Sequence, residues 1–237
     1  MITIPSLGDP WDAVWETLVD LQEQQPDGWT LIGAQMVALH GMEHERMPLR
    51  RSLDADLLAN VRGIQDATRR LSQALVQRGF EMDPPNLDGL SHRFRSDRVI
   101  IDLLAPDGLG RRADLGTIPP AHTLEVPGGT QALNRSELVE VTIGTRAGVV
   151  PRPNLLGAIV VKARAVDVDD VPANQLEDLT FLLSLATSPR RLVSEMTKGD
   201  RKALRARQEL LDPRHPAWLA LEDPEPGQRS LRVLTAD

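Results

Sequence analysis

Leu53-Asp54-Ala55-Asp56-Leu57 alternates apolar and acidic residues at the two-residue period of a β-strand. Asp54 and Asp56 then project together to one side, while Leu53, Ala55 and Leu57 face the other way, into a core. Carboxylates held side by side on such a strand repel each other, and burial adds a desolvation cost. A cation between them removes both penalties, and hard oxygen ligands suit Mg²⁺. The same five residues also fit a solvent-facing strand with incidental acids, so the pattern needs support from elsewhere in the chain.

Two further features supply it. Asp102 is the lone acid in Val99-Ile100-Ile101-Asp102-Leu103-Leu104. It either meets water at a strand end or is aimed at the same cation. Three carboxylates from two neighbouring strands are what two-metal phosphoryl chemistry uses, because the metals bridge nucleophile and triphosphate oxygens. Upstream, Trp29–Gly33 reads as a short buried strand and Ala34–His40 as a short helix entered from that glycine. Backbone N–H groups at such a junction suit a phosphate.

The remaining elements follow from periodicity and punctuation. Asp9-Pro10 supplies a helix N-cap with proline in the first helical position. Trp11, Val14, Trp15, Leu18 and Leu21 then predict a helix to Gln24, closed by Pro26-Asp27-Gly28. A strand is expected over Ser52–Ala59, and a helix over Ile64–Arg78 that stops at Gly79. His92–Arg95 and Arg98–Leu104 read as a hairpin around Ser96-Asp97. The Gly/Pro-rich stretch from Pro106 to Pro120 is too long for a simple turn and is therefore expected to be functional or mobile, and strands are expected at His122–Val126 and Leu138–Ile143. Helices are predicted at Asn154–Val166, Ala173–Ala186, Pro189–Thr197 and Asp200–Leu211. The proline-bearing tail after Asp212 reads as loose chain or a surface wrap. The expected organisation is a mixed α/β core over residues 1–145, followed by a helical part over 146–237 packed on it.

Composition narrows the chemistry. The 237 residues include no cysteine, which excludes disulfide scaffolds, thiolate zinc sites, iron–sulfur clusters and cysteine nucleophiles. No secretory leader and no apolar run of transmembrane length is visible, so a soluble cytoplasmic protein with no membrane partner is expected. The net charge of −7 argues against attraction of the whole chain to nucleic acid. Charge is uneven, however. Between Ser188 and His215 stand eight Lys/Arg (Arg190, Arg191, Lys198, Arg201, Lys202, Arg205, Arg207 and Arg214) against four acids, either a solvated helical face or a local anion-binding one.

The order strand, glycine, short helix, loop and Arg-x-Ser-x-Asp-x-Asp-Leu resembles the AbiEii/MenT nucleotidyltransferase toxins of the DNA polymerase β-like nucleotidyltransferase superfamily. Trp29-Thr30-Leu31-Ile32-Gly33-Ala34-Gln35-Met36 is similar to that family's Gly-Gly/Ser helix opening. Lys162 followed by Asp178 in Gln175-Leu176-Glu177-Asp178-Leu179 is similar to its helical lysine and Asp-x-x-Asp-Leu segment. Ala34 stands where a second Gly or Ser is usual, and Gln175 where the first acid is common. The resemblance implies a polymerase β-like α/β core with a mixed sheet. It also implies an enzyme that moves a nucleoside monophosphate from an NTP to an acceptor with release of pyrophosphate.

On that reading Asp54, Asp56 and Asp102 hold Mg²⁺ or Mn²⁺. Gly33, Ala34, Arg51, Ser52 and Lys162 position the triphosphate, and Asp178 orients Lys162. The partners implied are an NTP, an RNA acceptor such as tRNA, and a cognate antitoxin protein. The alternative is a catalytically degenerate binding or regulatory module, which Ala34 and Gln175 favour and the acid set opposes. His40 and His44 fit packing or capping better than metal ligation. Arg50 and Arg51 either hold phosphates or cover a strand end, Gly128-Gly129 reads as a turn, and Trp11, Trp15, Trp29 and Trp218 as packing residues.

Overall fold

In the computed structural model, which describes residues 1–48, 50, 52–110 and 113–236, β1 (Ile2–Ile4) precedes α1 (Trp11–Gln24), β2 (Trp29–Ile32) and α2 (Gly33–Glu43). There follow β3 (Asp54–Ala59), α3 (Ala67–Gln77), β4 (Glu81–Met82), β5 (Arg93–Arg95), β6 (Ile100–Pro106) and β7 (Glu125–Val126). A short α4 (Gly129–Asn134) leads into β8 (Ser136–Ile143) and β9 (Arg146–Pro153). The chain then turns helical through α5 (Leu155–Ala165), α6 (Pro172–Leu185), α7 (Pro189–Glu195) and α8 (Lys198–Arg205). A 3-10 turn (Gln208–Leu211), α9 (Pro216–Leu219) and α10 (Glu225–Thr235) complete it.

The larger sheet runs β2-β3-β6-β5-β4, with β7 added to β6. It is mixed: β3 and β6 are parallel, whereas β2 and β5 lie antiparallel to their neighbours. The smaller sheet runs β1-β8-β9, with β1 parallel to β8 and β9 antiparallel to it. Ala55, Leu57, Leu58, Ile101 and Leu103 are fully buried, so the two parallel strands carry the centre of the core. The predicted hydrophobic face of α1 is observed, with Val14, Trp15, Leu18 and Leu21 fully buried. All four tryptophans are buried, as their packing role requires.

Several local expectations are corrected. Asp9 does not cap α1; Pro10 occupies that position without a side-chain hydrogen bond, and Asp9 pairs with Arg98 at 3.0 Å. Asp12 closes the helix start instead, accepting from the Ser6 hydroxyl and, at 3.0 Å, from Leu7 N. Leu53 precedes β3 and is exposed, not core-facing. The stretch between Pro106 and Pro120 is tied down where it passes α3. Thr68 Oγ1 donates to Asp114 O at 3.0 Å, and Ile118 N donates to Ser72 Oγ at 2.8 Å. Gly128 and Gly129 form more than a turn, since they open α4.

Residues 146–153 were expected to begin the helical part. They form β9, which pairs with β8 along its whole length, so a hairpin crosses the expected boundary at 145. The tail is equally ordered. Trp218 is fully buried and its Nε1 donates to Leu210 O at 2.9 Å. α10 lies on α6, and at Gly227 a methyl group would come within 2.6 Å of Trp218 Cζ3. Among the described residues, no helix is long and apolar enough to cross a membrane.

Trp218 therefore anchors α9 and α10 to the back of α6. Trp218→Ala is expected to lower stability by about 3–5 kcal/mol through the cavity it leaves. Urea denaturation of the variant measures this, and an unchanged midpoint would show that the tail contributes nothing to the fold.

Candidate active site

Strand alternation does at β3 what the sequence predicts: Ala55 and Leu57 are fully buried while Asp54 and Asp56 are half-buried on the opposite face. The parallel register sets Asp56 directly beside Asp102 of β6. The antiparallel register sets it beside Ile32, the last residue of β2, so the next residue, Gly33, meets the Asp56 side chain. Gly33 has φ +71°, and a methyl group there would lie 1.7 Å from Asp56 Oδ2. Only glycine satisfies both the left-handed backbone and the close approach. The N-terminus of α2 is thereby brought against the carboxylate, and its partial positive charge faces the acid cluster.

The three carboxylates differ in their surroundings. Asp54 Oδ1 accepts a hydrogen bond from the Ser52 hydroxyl. Asp56 has its acid–base midpoint pushed up to about 7, first by burial, then by the charges of Asp102 and Asp54, with Lys162 and Arg93 partly offsetting them. Asp102 is buried and already engaged: Arg93 Nε donates to Oδ1 at 2.7 Å and Nη2 to Oδ2 at 2.6 Å. Among the described residues, no three His, Cys, Asp or Glu side chains are gathered as a ready cage for a metal ion. Asp54 and Asp56 have the hard, mutually repelling oxygen donors that a divalent cation would stabilise, so they fit such an ion. Asp102 has the same chemistry and the right neighbour, but both of its oxygens are bound to arginine.

On the other side of the cleft, α5 carries Lys162, whose Nζ is 2.7 Å from Asp178 Oδ2 and donates to Gln175 Oε1 at 2.9 Å. Lys162 and Asp178 are both buried. Asn154 holds the start of α5 by accepting from Gly157 N at 3.0 Å. Arg50 Nη2 adds a second cation to Asp178 at 3.1 Å, and Gln175 Nε2 donates to Asp169 Oδ2 at 2.7 Å. Gln175 therefore links Lys162 to Asp169.

Gly33, Ala34, Ser52, Asp54, Asp56, Asp102 and Lys162 all line one cleft of about 500 Å³. Asp178 stands behind Lys162 rather than on the wall. Arg51 lies outside the described residues. His40 is a packing residue: it is buried, its Nε2 lies 3.0 Å from Pro153 O, and burial and the Arg152 charge hold its pKa well below the usual value. Arg93 and the anchoring role of Gln175 were not anticipated from the sequence. The alternation of Arg93 and Arg95 around buried Phe94 signals a shared strand face, but only the hairpin register assigns Arg93 to Asp102.

No protein-family model matches the chain, and no curated protein matches it. Among solved structures, it is similar to the crystal structure of an antigenic nucleotidyltransferase-like protein from Paracoccidioides brasiliensis. The two superpose with a TM-score of 0.50 at 11% identity, over 84% of this chain and 89% of the other. The chain thus has a mixed α/β, nucleotidyltransferase-like fold.

The high midpoint of Asp56 has a consequence for stability. Its proton is held more tightly in the folded than in the unfolded protein, where the ordinary value is 3.8. The contribution is complete below about pH 4 and is lost as pH rises toward 7. The metal-free protein should accordingly lose melting temperature between pH 5 and pH 8, and Asp56→Asn should flatten that slope. Identical pH profiles for the two proteins would show that Asp56 does not titrate in this range.

Proposed function

We propose that the chain is a divalent-metal-dependent nucleotidyltransferase that moves a nucleoside monophosphate from an NTP to an acceptor hydroxyl. The observation that carries this is the meeting of Asp54 and Asp56 with the Gly33 turn and Lys162 in one cleft of a nucleotidyltransferase-like fold. Asp54 and Asp56 would hold Mg²⁺ or Mn²⁺, with Asp102 as the third carboxylate. Such a cation neutralises triphosphate charge and makes an acceptor hydroxyl easier to deprotonate.

The other residues act on the nucleotide directly. Backbone N–H groups of Gly33 and Ala34 at the start of α2 suit phosphate oxygens, as does the Ser52 hydroxyl once turned from Asp54. Lys162 brings a buried ammonium, and Asp178 and Gln175 fix its position. In the transfer, the acceptor oxygen bonds to the α-phosphorus and the bond to the β-phosphate oxygen breaks. Pyrophosphate leaves, and the hydroxyl proton passes to a carboxylate of the cluster.

RNA, specifically a tRNA end, is proposed as the acceptor, and a toxin role opposed by an antitoxin protein as the setting, in the cytoplasm where NTP and tRNA are found. The support is the AbiEii/MenT-like order of motifs, together with the placement of the basic segment. α8 packs on α5, and Gly199 at its start neighbours the Arg164 side chain. Arg164 also neighbours Gly128, and adjacent Pro127 lines the cleft. Lys198 and Lys202 are exposed on α8, and this cationic face, reached from the cleft through Pro127, Gly128 and Arg164, suits a polyanionic acceptor. The second reading, a degenerate binding module, is favoured by the Arg93 grip on Asp102 and by Ala34.

Incorporation of label from α-³²P-NTPs into total RNA with Mg²⁺ separates the readings. Lys162→Met keeps the packed stem and removes the charge, so transfer should fall by about 100-fold or more while folding is retained. Equal rates for the two proteins would remove Lys162 from the site. Charge reversal at Lys198 and Lys202 should weaken use of RNA and reduce its salt dependence without changing NTP affinity. Unchanged RNA labelling would count against the α8 face as the acceptor's path.

A further inference from the structure

Arg93 is the residue that the metal-binding reading leaves unexplained. Its guanidinium makes a two-point contact with Asp102, a geometry that gives the strongest ion pairs. Asp102 is the β6 neighbour of Asp56, and Arg93 is the β5 neighbour of Asp102, so the three side chains lie in one row across the sheet. The Asp102 side chain is only 8% exposed, whereas that of Arg93 is 35% exposed. The guanidinium thus lies on the open side of the row.

It also has a place to move. A second hollow of about 320 Å³ adjoins the main cleft, and His92, Arg93 and Leu124 line both. Asp83 lines that hollow and pairs with Arg95 at 2.7 Å, so an acid stands there to meet a second arginine. A rotation of the Arg93 side chain away from Asp102 would carry it from one space toward the other, still near a carboxylate.

We propose that Arg93 is an internal counter-cation that occupies Asp102 until a divalent cation displaces it, so that metal binding and guanidinium release are one exchange. This rests on the metal-dependent reading of the cleft. Without metal, Arg93 neutralises the third carboxylate of a cluster that would otherwise repel itself. With metal, Asp102 completes the ligand set beside Asp56, and the freed guanidinium points to the phosphates or to Asp83. The exchange makes metal binding weak in the absence of nucleotide and strengthens it when triphosphate oxygens supply additional ligands. Arg93 is in this sense a positioning residue, acting through Asp102.

The test is Mn²⁺ binding to the full chain without nucleotide, measured by electron paramagnetic resonance of the free ion. Arg93→Gln, which leaves Asp102 uncommitted, should bind Mn²⁺ about tenfold tighter than wild type or more. Adding Asp102→Asn to that variant should erase the gain. Should Arg93→Gln fail to fold, Arg93→Lys retains a charge with a one-point contact and should still bind several-fold tighter than wild type. Affinity that is unchanged or weaker in these variants, or a gain that survives Asp102→Asn, would overturn the exchange. If wild type binds Mn²⁺ and Asp54→Asn abolishes it, that failure concerns Arg93 alone. If neither wild type nor any Arg93 variant binds Mn²⁺, the metal-dependent reading fails with it.

Discussion

Asp54, Asp56 and Asp102 are crowded by the pairing of β3 with β6, and like charges at this separation cannot all remain ionised without compensation. The elements around them are disposed to supply it. β5 brings Arg93, α5 brings Lys162, and α2 presents its N-terminus through a glycine that leaves no room for a side chain. Asp56 carries the residue of the problem as a raised midpoint near neutrality. A site of this kind is held short of full electrostatic satisfaction, which a cationic ligand would relieve.

The helical part answers the same constraint one step further out. Lys162 keeps its position because Asp178 and Gln175 of α6 hold its ammonium, and Arg50 balances Asp178. α6 in turn is fixed from behind by α10 and by the buried Trp218. The order of a segment far from the cleft in sequence is therefore linked to the placement of one ammonium within it. Asp200 does comparable work for α8, closing a capping box with Thr197 and pairing with Arg135 at 2.7 Å.

Much of the cleft was legible because its residues obey simple periods. Alternation fixed the shared face of Asp54 and Asp56, and the likeness of the Lys162 and Gln175–Leu179 segments to a known motif singled out Lys162 and Asp178. The Arg93–Asp102 pair was hidden because the strand period gives a face and not a partner. The partner depends on where the β5–β6 turn closes, which here sets Arg95 opposite Ile100. β9 was hidden by Pro151 and Pro153, which argue against a central strand; β9 is an edge strand of its sheet, where proline is tolerated. α10 was hidden by Pro224, Pro226 and Gly227. The prolines sit at its N-cap and in its first turn, where a missing N–H costs nothing, and the glycine admits Trp218.

The smaller sheet has a consequence for how the molecule is made. Ile2 and Ile4 of β1 are buried against β8, pairing with Val141 and Ile143. On the ribosome, these isoleucines emerge on the order of ten seconds before the strand that receives them. The β3–β6 pair can form late in that interval, once Pro106 has been made, whereas β1, in the other sheet, still lacks its partner strand. A chain paired in this order exposes a short apolar strand early and covers it late. The interval is one in which a chaperone, or another nascent copy, has first access to it.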